Sequence, residues 1–340
     1  MNHFNKLFFI LPFIVCWSCT LNSKTEKYQN RHNNIVNVRD KVKEIKINEE
    51  DVLIGSAARL FLIDNYLIIK DSRSSNKLIH LFDKNQFTYL TSIGDRGQGP
   101  NEITRIGFIG TNDANRIFYV NDHGKQKIFA YSLDSVLVNP DYVPTVKMEM
   151  NGSIFPDDYQ YIADTLSVGI AITFIGDNDF DQSVAQWNMN TGKIKAFPYR
   201  HPDIKKKRIT FAVSMKDSIY VECYQRYDLM TICNLNGNLK YNIYGPDWNS
   251  RINKAIHYFG KVAFCGNKIL VAYSGGDWQT EEYHPNKFLV FDIDGNYIKT
   301  LETGYHIPDY CYDEANNRII MNLDDAEIQF AYLDLEGLID

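Results

Sequence analysis

Residues 287–304 read KFLVFDIDGNYIKTLETG: an apolar run, a polar turn built on Asp292, Asp294 and Gly295, and a second run through Tyr297, Ile298 and Leu301. That is a β-hairpin signature, because Asp-Gly between two apolar runs supplies the positive φ a tight turn demands. The pattern recurs as KLIHLFDKNQFTYLTSIG from Lys77, QKIFAYSLDS from Gln126, SVAQWNMNTGKIKAFPY from Ser183, LMTICNLNGNLKYNIYG from Leu229 and EIQFAYLDLEG from Glu327. Aligned on Asp83, Ser132, Asn188, Asn234, Asp292 and Asp334, the copies stand 49, 56, 46, 58 and 42 residues apart. A period of about 50 is that of a propeller blade.

Ahead of each hairpin lies another apolar pair, for example RLFLI with YLIIKD before the first and DYCYD with RIIMNLD before the last. Four strands in each of six units predict an all-β fold, a six-bladed β-propeller of four-stranded antiparallel blades. Short, often continuously apolar strands suit blades covered on both faces by their neighbours. No stretch sustains a 3.6-residue period, so helix is expected to be scarce. The last unit runs out after three strands. Residues 42–47 (VKEIKI) alternate apolar and polar positions without a partner of their own. They are predicted to close the ring as the outermost strand of the last blade, which removes an exposed edge.

Composition agrees with a large β core: 22 Tyr, 20 Phe and 4 Trp bring aromatics to 14% beside 44% hydrophobic residues. Lys plus Arg number 36 against 42 Asp plus Glu, a net charge of −6. Such a chain carries no general field for a polyanion, and no nucleic-acid partner is expected.

The first 18 residues offer Lys6 as a positive flank and the apolar run LFFILPFIV over residues 7–15, too short to span a bilayer. Ser18 before Cys19 resembles the lipobox of bacterial lipoproteins, which implies cleavage at that point and lipidation of Cys19; ordinary secretory cleavage is the alternative. The polar residues 20–34 (TLNSKTEKYQNRHNN) place a flexible tether over 19–34, leaving 35–340 as the propeller. The implied location is the cell envelope, anchored in the outer membrane, with the membrane touched through the lipid alone and the folded body monomeric. Residues 20–24 hold no acid, which favours the periplasmic side. Export permits disulfides. Cys223 and Cys233 fall on neighbouring strands and leave two readings, a cross-strand bridge or two buried thiols, the second preferred. No cysteine or histidine spacing suggests zinc.

After the first hairpin comes GDRGQGPNEI, residues 94–103. Its core, Gly97-Gln98-Gly99-Pro100-Asn101-Glu102, resembles the G-x-G-P-x-E signature of Bacteroidetes six-bladed β-propeller lipoproteins related to NHL and TolB-like propellers. The resemblance spans nearly the whole mature chain and implies an exported propeller with no catalytic residues to carry over. From the residues themselves, Gly97 and Gly99 suit positive φ, Pro100 stiffens the turn, and Glu102 is expected to begin an inner strand lining the channel. Arg96 and Glu102 either tie this turn to its neighbours or face a ligand.

In such a blade the links between blades and the middle loops share one face, where the longer, more varied loops fall and ligands usually bind. The candidate ligand residues on that face are Arg96, Glu102, Asp122, His123, Arg226, Tyr227, Asp277, Trp278, Glu281 and His284. The last four belong to GGDWQTEEYHP (275–285), whose aromatic faces beside carboxylates suit a glycan or peptide. GDNDFDQ (176–182) is either a solvated acidic loop or a source of Ca²⁺ ligands, and KKKR (205–208) is read as a solvated turn. The expected function is a non-catalytic, lipid-anchored propeller binding a glycan, peptide or envelope protein. The alternative is a metal-dependent hydrolase or lactonase holding Ca²⁺ or another divalent ion in the channel, with Asp71, Glu102, Asp122 and Asp324 as candidate ligands. No GxSxG elbow is present for serine hydrolysis.

Overall fold

The computed structural model describes residues 24–48, 50–139, 141–150, 152–176, 179–252 and 254–339. The expected signal peptide, residues 1–18, Cys19 and Asp177 lie outside the described residues. Six antiparallel sheets follow one another along the chain, each running from an inner strand A to an outer strand D. The inner strands are Arg59–Ile63, Ile106–Asn112, Ile154–Ala163, Ile209–Ser214, Ile256–Cys265 and Asp309–Asp313, one from each of blades 1 to 6. The protein is a six-bladed β-propeller with almost no helix, as the repeat predicts.

Blade 6 contributes only three strands of its own, ending with Phe330–Asp334. Its outer strand comes from the other end of the chain. Of three short N-terminal strands, β1 (Glu26–Tyr28), β2 (Ile35–Asn37) and β3 (Lys43–Ile45), the third pairs antiparallel with Phe330–Asp334, matching Ile45 to Phe330. The ring is closed as expected, by a segment within VKEIKI.

Of the other two strands, β1 departs from the flexible-tether reading of residues 19–34, while β2 falls at the start of the expected propeller, 35–340. β1 adds in parallel to the outer strand of blade 4 (Leu239–Tyr244), and β2 to that of blade 5 (Tyr297–Glu302). The N-terminal segment therefore walks round the rim across blades 4, 5 and 6. Side chains secure it: Glu26 accepts hydrogen bonds from Tyr244 and Asn242, Tyr28 stacks on Tyr244 at 4.7 Å, and His32 wedges against Tyr273, Phe291 and Tyr297. A polar composition reads as tether, yet an open sheet edge supplies a row of backbone partners to any extended segment that reaches it.

One α-helix, Leu133–Val138, replaces the tight outer turn expected near Ser132 in blade 2. Ser132 caps it by accepting from the Ser135 amide at 3.3 Å, while Leu133 and Val136, three apart, are buried on one side. The cores lie between adjacent blades, as each blade buries both faces. Cys223 and Cys233 illustrate this, for they sit in different clusters on opposite faces of blade 4. Cys223 opposes Met230 and Cys233 opposes Tyr220, so no cross-strand bridge forms and both are free, buried thiols.

Candidate functional site

The GQGPNE turn is a lock. The Glu102 carboxylate folds back to accept the Gly99 amide at 2.7 Å, and a Cβ at Gly97 would collide with it. Gly97 and Gly99 are thus required for space, not for positive φ, which falls instead on Gly94 at 74°. Lys125 lies on the carbonyl side, its ammonium donating to the carbonyls of Gly99 at 2.5 Å, Pro100 at 3.2 Å and Glu102 at 2.6 Å. Arg96 donates to the carbonyls of Ser72 and Ser74 in the middle loop of blade 1. Glu102 lines no channel: the inner strand of blade 2 starts later, at Ile106. Motif and arginine together hold the turn between blades 1 and 2, the structural role weighed for them from sequence.

The carboxylates proposed for a channel metal are committed elsewhere. Asp122, fully buried, accepts the amides of Thr104, Arg105, Gly124 and Lys125 at 2.9 to 3.2 Å. Asp71 does the same for Gly55, Arg73 and Ser74 at 2.8 to 3.2 Å. Each ends a second strand and pins the incoming link from the preceding blade. Asp324 is exposed in the last blade. Among the described residues no three His, Cys, Asp or Glu side chains gather as a metal site, so these four candidates do not form one.

The acidic loop and the basic run explain each other. Asp179 pairs with Lys206 and, at 3.4 Å, with Arg208; Asp181 takes Arg200 at 2.6 Å and the Lys207 amide at 2.9 Å. Residues 179–182 are strand, not loose loop, paired with the second strand of blade 3 in an extended hairpin arm. Lys207 is not solvated at all. Its ammonium is buried against both oxygens of Glu222 at 2.7 and 2.9 Å, with Tyr224 donating to the same carboxylate at 3.0 Å. KKKR is a staple between blades 3 and 4, and the Ca²⁺ reading of Asp179 and Asp181 loses its free oxygens.

The remaining sequence candidates divide into two places. Arg226 donates to the Lys254 carbonyl at 3.0 Å, and Tyr227 is buried against Tyr224 and Trp248, a packing residue instead of a ligand contact. Asp277 caps its own turn through the Gln279 amide, Trp278 is half exposed, and His284 lies between Tyr283 and His306 with exposed Glu281 at 3.6 Å. These lie on blades 4 to 6. His123, on the other side of the ring, lines a cavity.

That cavity, of about 540 Å³, opens on the long-loop face at the channel mouth between blades 1, 2 and 3. Four phenylalanines wall it, Phe108, Phe155, Phe174 and Phe180. Its charged lining is Arg59, Lys70, Arg105, His123 and Asp157. Arg59 and Lys70 oppose one another at the mouth end of paired strands. Lys70 is 7% exposed and donates to the Gly107 carbonyl at 2.7 Å; burial, with Arg59 adding, lowers its pKa to about 8. Burial pushes the Asp157 carboxyl up, but the bond and charge of His123, with Arg59 and Lys70, outweigh it and hold it below the usual range. His123 stands 3.7 Å from Asp157. Sequence reasoning missed all of these except His123. The available signal was a cation at the end of each of two otherwise apolar strands, RLFLI and YLIIK.

Below the mouth a second cavity of about 510 Å³ is the channel itself, lined by inner strands of all six blades. Its charged lining is Asp113, Lys216, Glu314, Asp158, whose burial raises its pKa to about 6, and Lys261, paired at 3.0 Å with buried Asp309.

Residues 32–221 match the family described as 6-bladed beta-propeller, DUF5128, and the chain belongs to that family. Among solved structures it is similar to a member of the DUF4221 family from Bacteroides vulgatus, at 11% identity over 87% of this chain and 98% of that one, with a TM-score of 0.55. A protein from Bacteroides fragilis described as exported gives 10%, 91%, 98% and 0.55 in the same order. The calcium-binding protein regucalcin from Agrobacterium tumefaciens gives 11%, 88%, 95% and 0.53. At these identities the likeness is one of fold. The chain matches no curated protein.

Proposed function

We propose that this member of the six-bladed propeller family is an exported, lipid-anchored protein of the cell envelope that binds a ligand on its long-loop face without transforming it. The observation that carries the reading is a contrast in how charge is used. The acids that a channel metal would need, Asp71, Asp122 and Glu102, are spent on backbone amides, whereas the mouth cavity gathers three cations, Arg59, Lys70 and Arg105, around one lining carboxylate, Asp157, with none of the three within ion-pair distance of it. Buried charge that the fold does not neutralise marks a place where something else does. Support for export comes from the lipobox-like Ser18-Cys19 and from the likeness in fold to a Bacteroides protein described as exported. The anchor at Cys19 would leave only residues 20–25 between lipid and β1, a short leash. The candidates Trp278, Asp277, Glu281 and His284 offer a second, open surface for a peptide or protein partner on blade 5.

Two measurements test this. Metabolic labelling with palmitate should mark the wild-type chain in the outer-membrane fraction and leave Cys19→Ala unlabelled. The purified full chain, assayed on lactones and aryl esters with stoichiometric Ca²⁺, Zn²⁺ or Mn²⁺, should show no turnover above buffer. Metal-dependent hydrolysis abolished by EDTA would overturn the non-catalytic reading and reinstate the hydrolase.

A further inference from the structure

We infer that the mouth cavity of blades 1 to 3 is a binding site for an amphipathic organic acid, an anionic head group on an aromatic or aliphatic body. The inference rests on the ligand-binding reading above and names the ligand class of that site.

Three cations line the cavity against one carboxylate, in a chain whose net charge is −6. Among the described residues neither the Arg59 nor the Arg105 guanidinium makes an ion pair or side-chain hydrogen bond, and both are exposed toward solvent. Other cations of the same face are engaged: Arg96 and Lys125 on carbonyls, Lys206 and Arg208 on Asp179, Lys207 on Glu222. Lys70 is more telling, because it is buried with a single carbonyl as its partner. Asp157, Asp158 and Asp309 act on it from further off, but burial and the neighbouring Arg59 outweigh them, so a buried ammonium in a cavity lined by three cations and one carboxylate gains when an anion enters. Planar guanidiniums at the rim suit a carboxylate, which can accept two parallel bonds from one of them.

The walls decide the rest of the ligand. Phe155 packs on Phe174 at 5.6 Å and on His123 at 5.2 Å, and none of the four wall phenylalanines carries a hydroxyl or indole N–H. A neutral sugar presents many hydroxyls that need acceptors as well as donors, and here the polar lining is dominated by cations. An apolar body fits the walls and an acid fits the rim. The volume of about 540 Å³ is that of a metabolite site. Backbone amides near the mouth, the usual cradle of a phosphate, are already taken by Asp122.

Fluorine NMR of the full chain in detergent would measure binding of 4-fluorophenylacetate, its neutral amide 4-fluorophenylacetamide, phenyl phosphate as a competitor, and inorganic phosphate. The acid should bind at least ten-fold more tightly than the amide. R59Q/R105Q should weaken the acid ten-fold or more, and Phe174→Ser, at a side chain already half exposed, should weaken acid and amide together, both variants keeping the wild-type melting curve. Raising the pH from 7 to 9.5 should weaken the acid as Lys70 discharges. Displacement by phenyl phosphate also supports the class and assigns the head group more broadly than carboxylate. Equal binding of acid and amide, both lost in Phe174→Ser, overturns anion recognition while leaving the site reading intact. Inorganic phosphate binding as tightly as the aryl acid overturns the amphipathic ligand. Binding insensitive to every variant, or no binding by any compound, overturns both readings.

Discussion

Replacing Glu222 by Leu should destabilise the protein severely, and replacing Lys207 by Met in the same chain should restore most of the loss. Both side chains are only 1 to 2% exposed. In Glu222→Leu the Lys207 ammonium keeps one partner, the Tyr199 carbonyl at 3.3 Å, and the Tyr224 hydroxyl loses the acceptor it holds at 3.0 Å. Stranding one member of a buried pair costs about 3 to 5 kcal/mol. For a chain of this length a kcal/mol moves the melting temperature by about 1.5 °C, so the single variant should melt roughly 5 to 8 °C lower. Lys207→Met/Glu222→Leu removes both charges and returns apolar volume, which in buried pairs is often neutral or better. Circular dichroism melts of wild type, both singles and the double give the coupling energy directly. A shift under about 2 °C for Glu222→Leu, or a double variant no better than the single, would show that Lys207 escapes to solvent and that the staple between blades 3 and 4 is not a buried ion pair.

Three further outcomes follow from the same contacts. Burial, with Lys287 adding, lowers the His32 pKa from 6.5 to about 4, so the folded state holds it neutral; its contribution is complete above pH 6.5 and is lost as pH falls from there toward 4, at up to about 1.4 kcal/mol per pH unit. Amide protection factors in residues 26–37, corrected for the intrinsic exchange rate at each pH, should therefore fall selectively at pH 5 against pH 7.5, and His32→Leu should remove that dependence; equal protection at both pH values would count against the wedge. Lys125→Met should free three carbonyls at a partly exposed turn and cost about 1 to 3 kcal/mol, read as a lower melting temperature and new proteolysis within residues 97–102. Burial pushes the Cys223, Cys233 and Cys311 thiols up, the last two to about 12, so these cysteines should resist Ellman's reagent in the native state and react with it in denaturant; rapid native labelling would contradict their burial.

The propeller was legible because its evidence is one-dimensional. Each blade writes apolar strands and polar turns in order, and the missing twelfth hairpin partner pointed to residues 42–47 for closure. The rim strands β1 and β2 were not legible: three residues each is too short for any period, and their pairing depends on outer edges that exist only once blades 4 and 5 have formed. Asp179, Asp181 and the basic run were visible as charges, but the acids lie on a strand of blade 3 and the cations in the link to blade 4, so their neutralisation depends on how that link returns across the blade. The acids at strand ends were visible as well. Whether Asp122 serves a metal or four amides is set by where the link from blade 1 passes, which no local pattern records. Likewise the mouth cavity draws Arg59, Arg105 and Asp157 from three blades, and only the ring brings them together.

The N-terminal walk across blades 4, 5 and 6 also sets an order of events. A chain made or exported from its N-terminus presents β1, β2 and β3 first, yet their partners are the outer strands of blades 4 and 5 and the final strand, Phe330–Asp334. Blades 1 to 3 can condense from neighbouring strands as they emerge, while the opening segment must wait, extended and unpaired, until almost the whole chain has followed. Contacts between the two ends are the slowest kind to form, because they close the longest loop available. The last step of folding is then the capture of the first residues, and any body captured too late offers three open sheet edges to its neighbours.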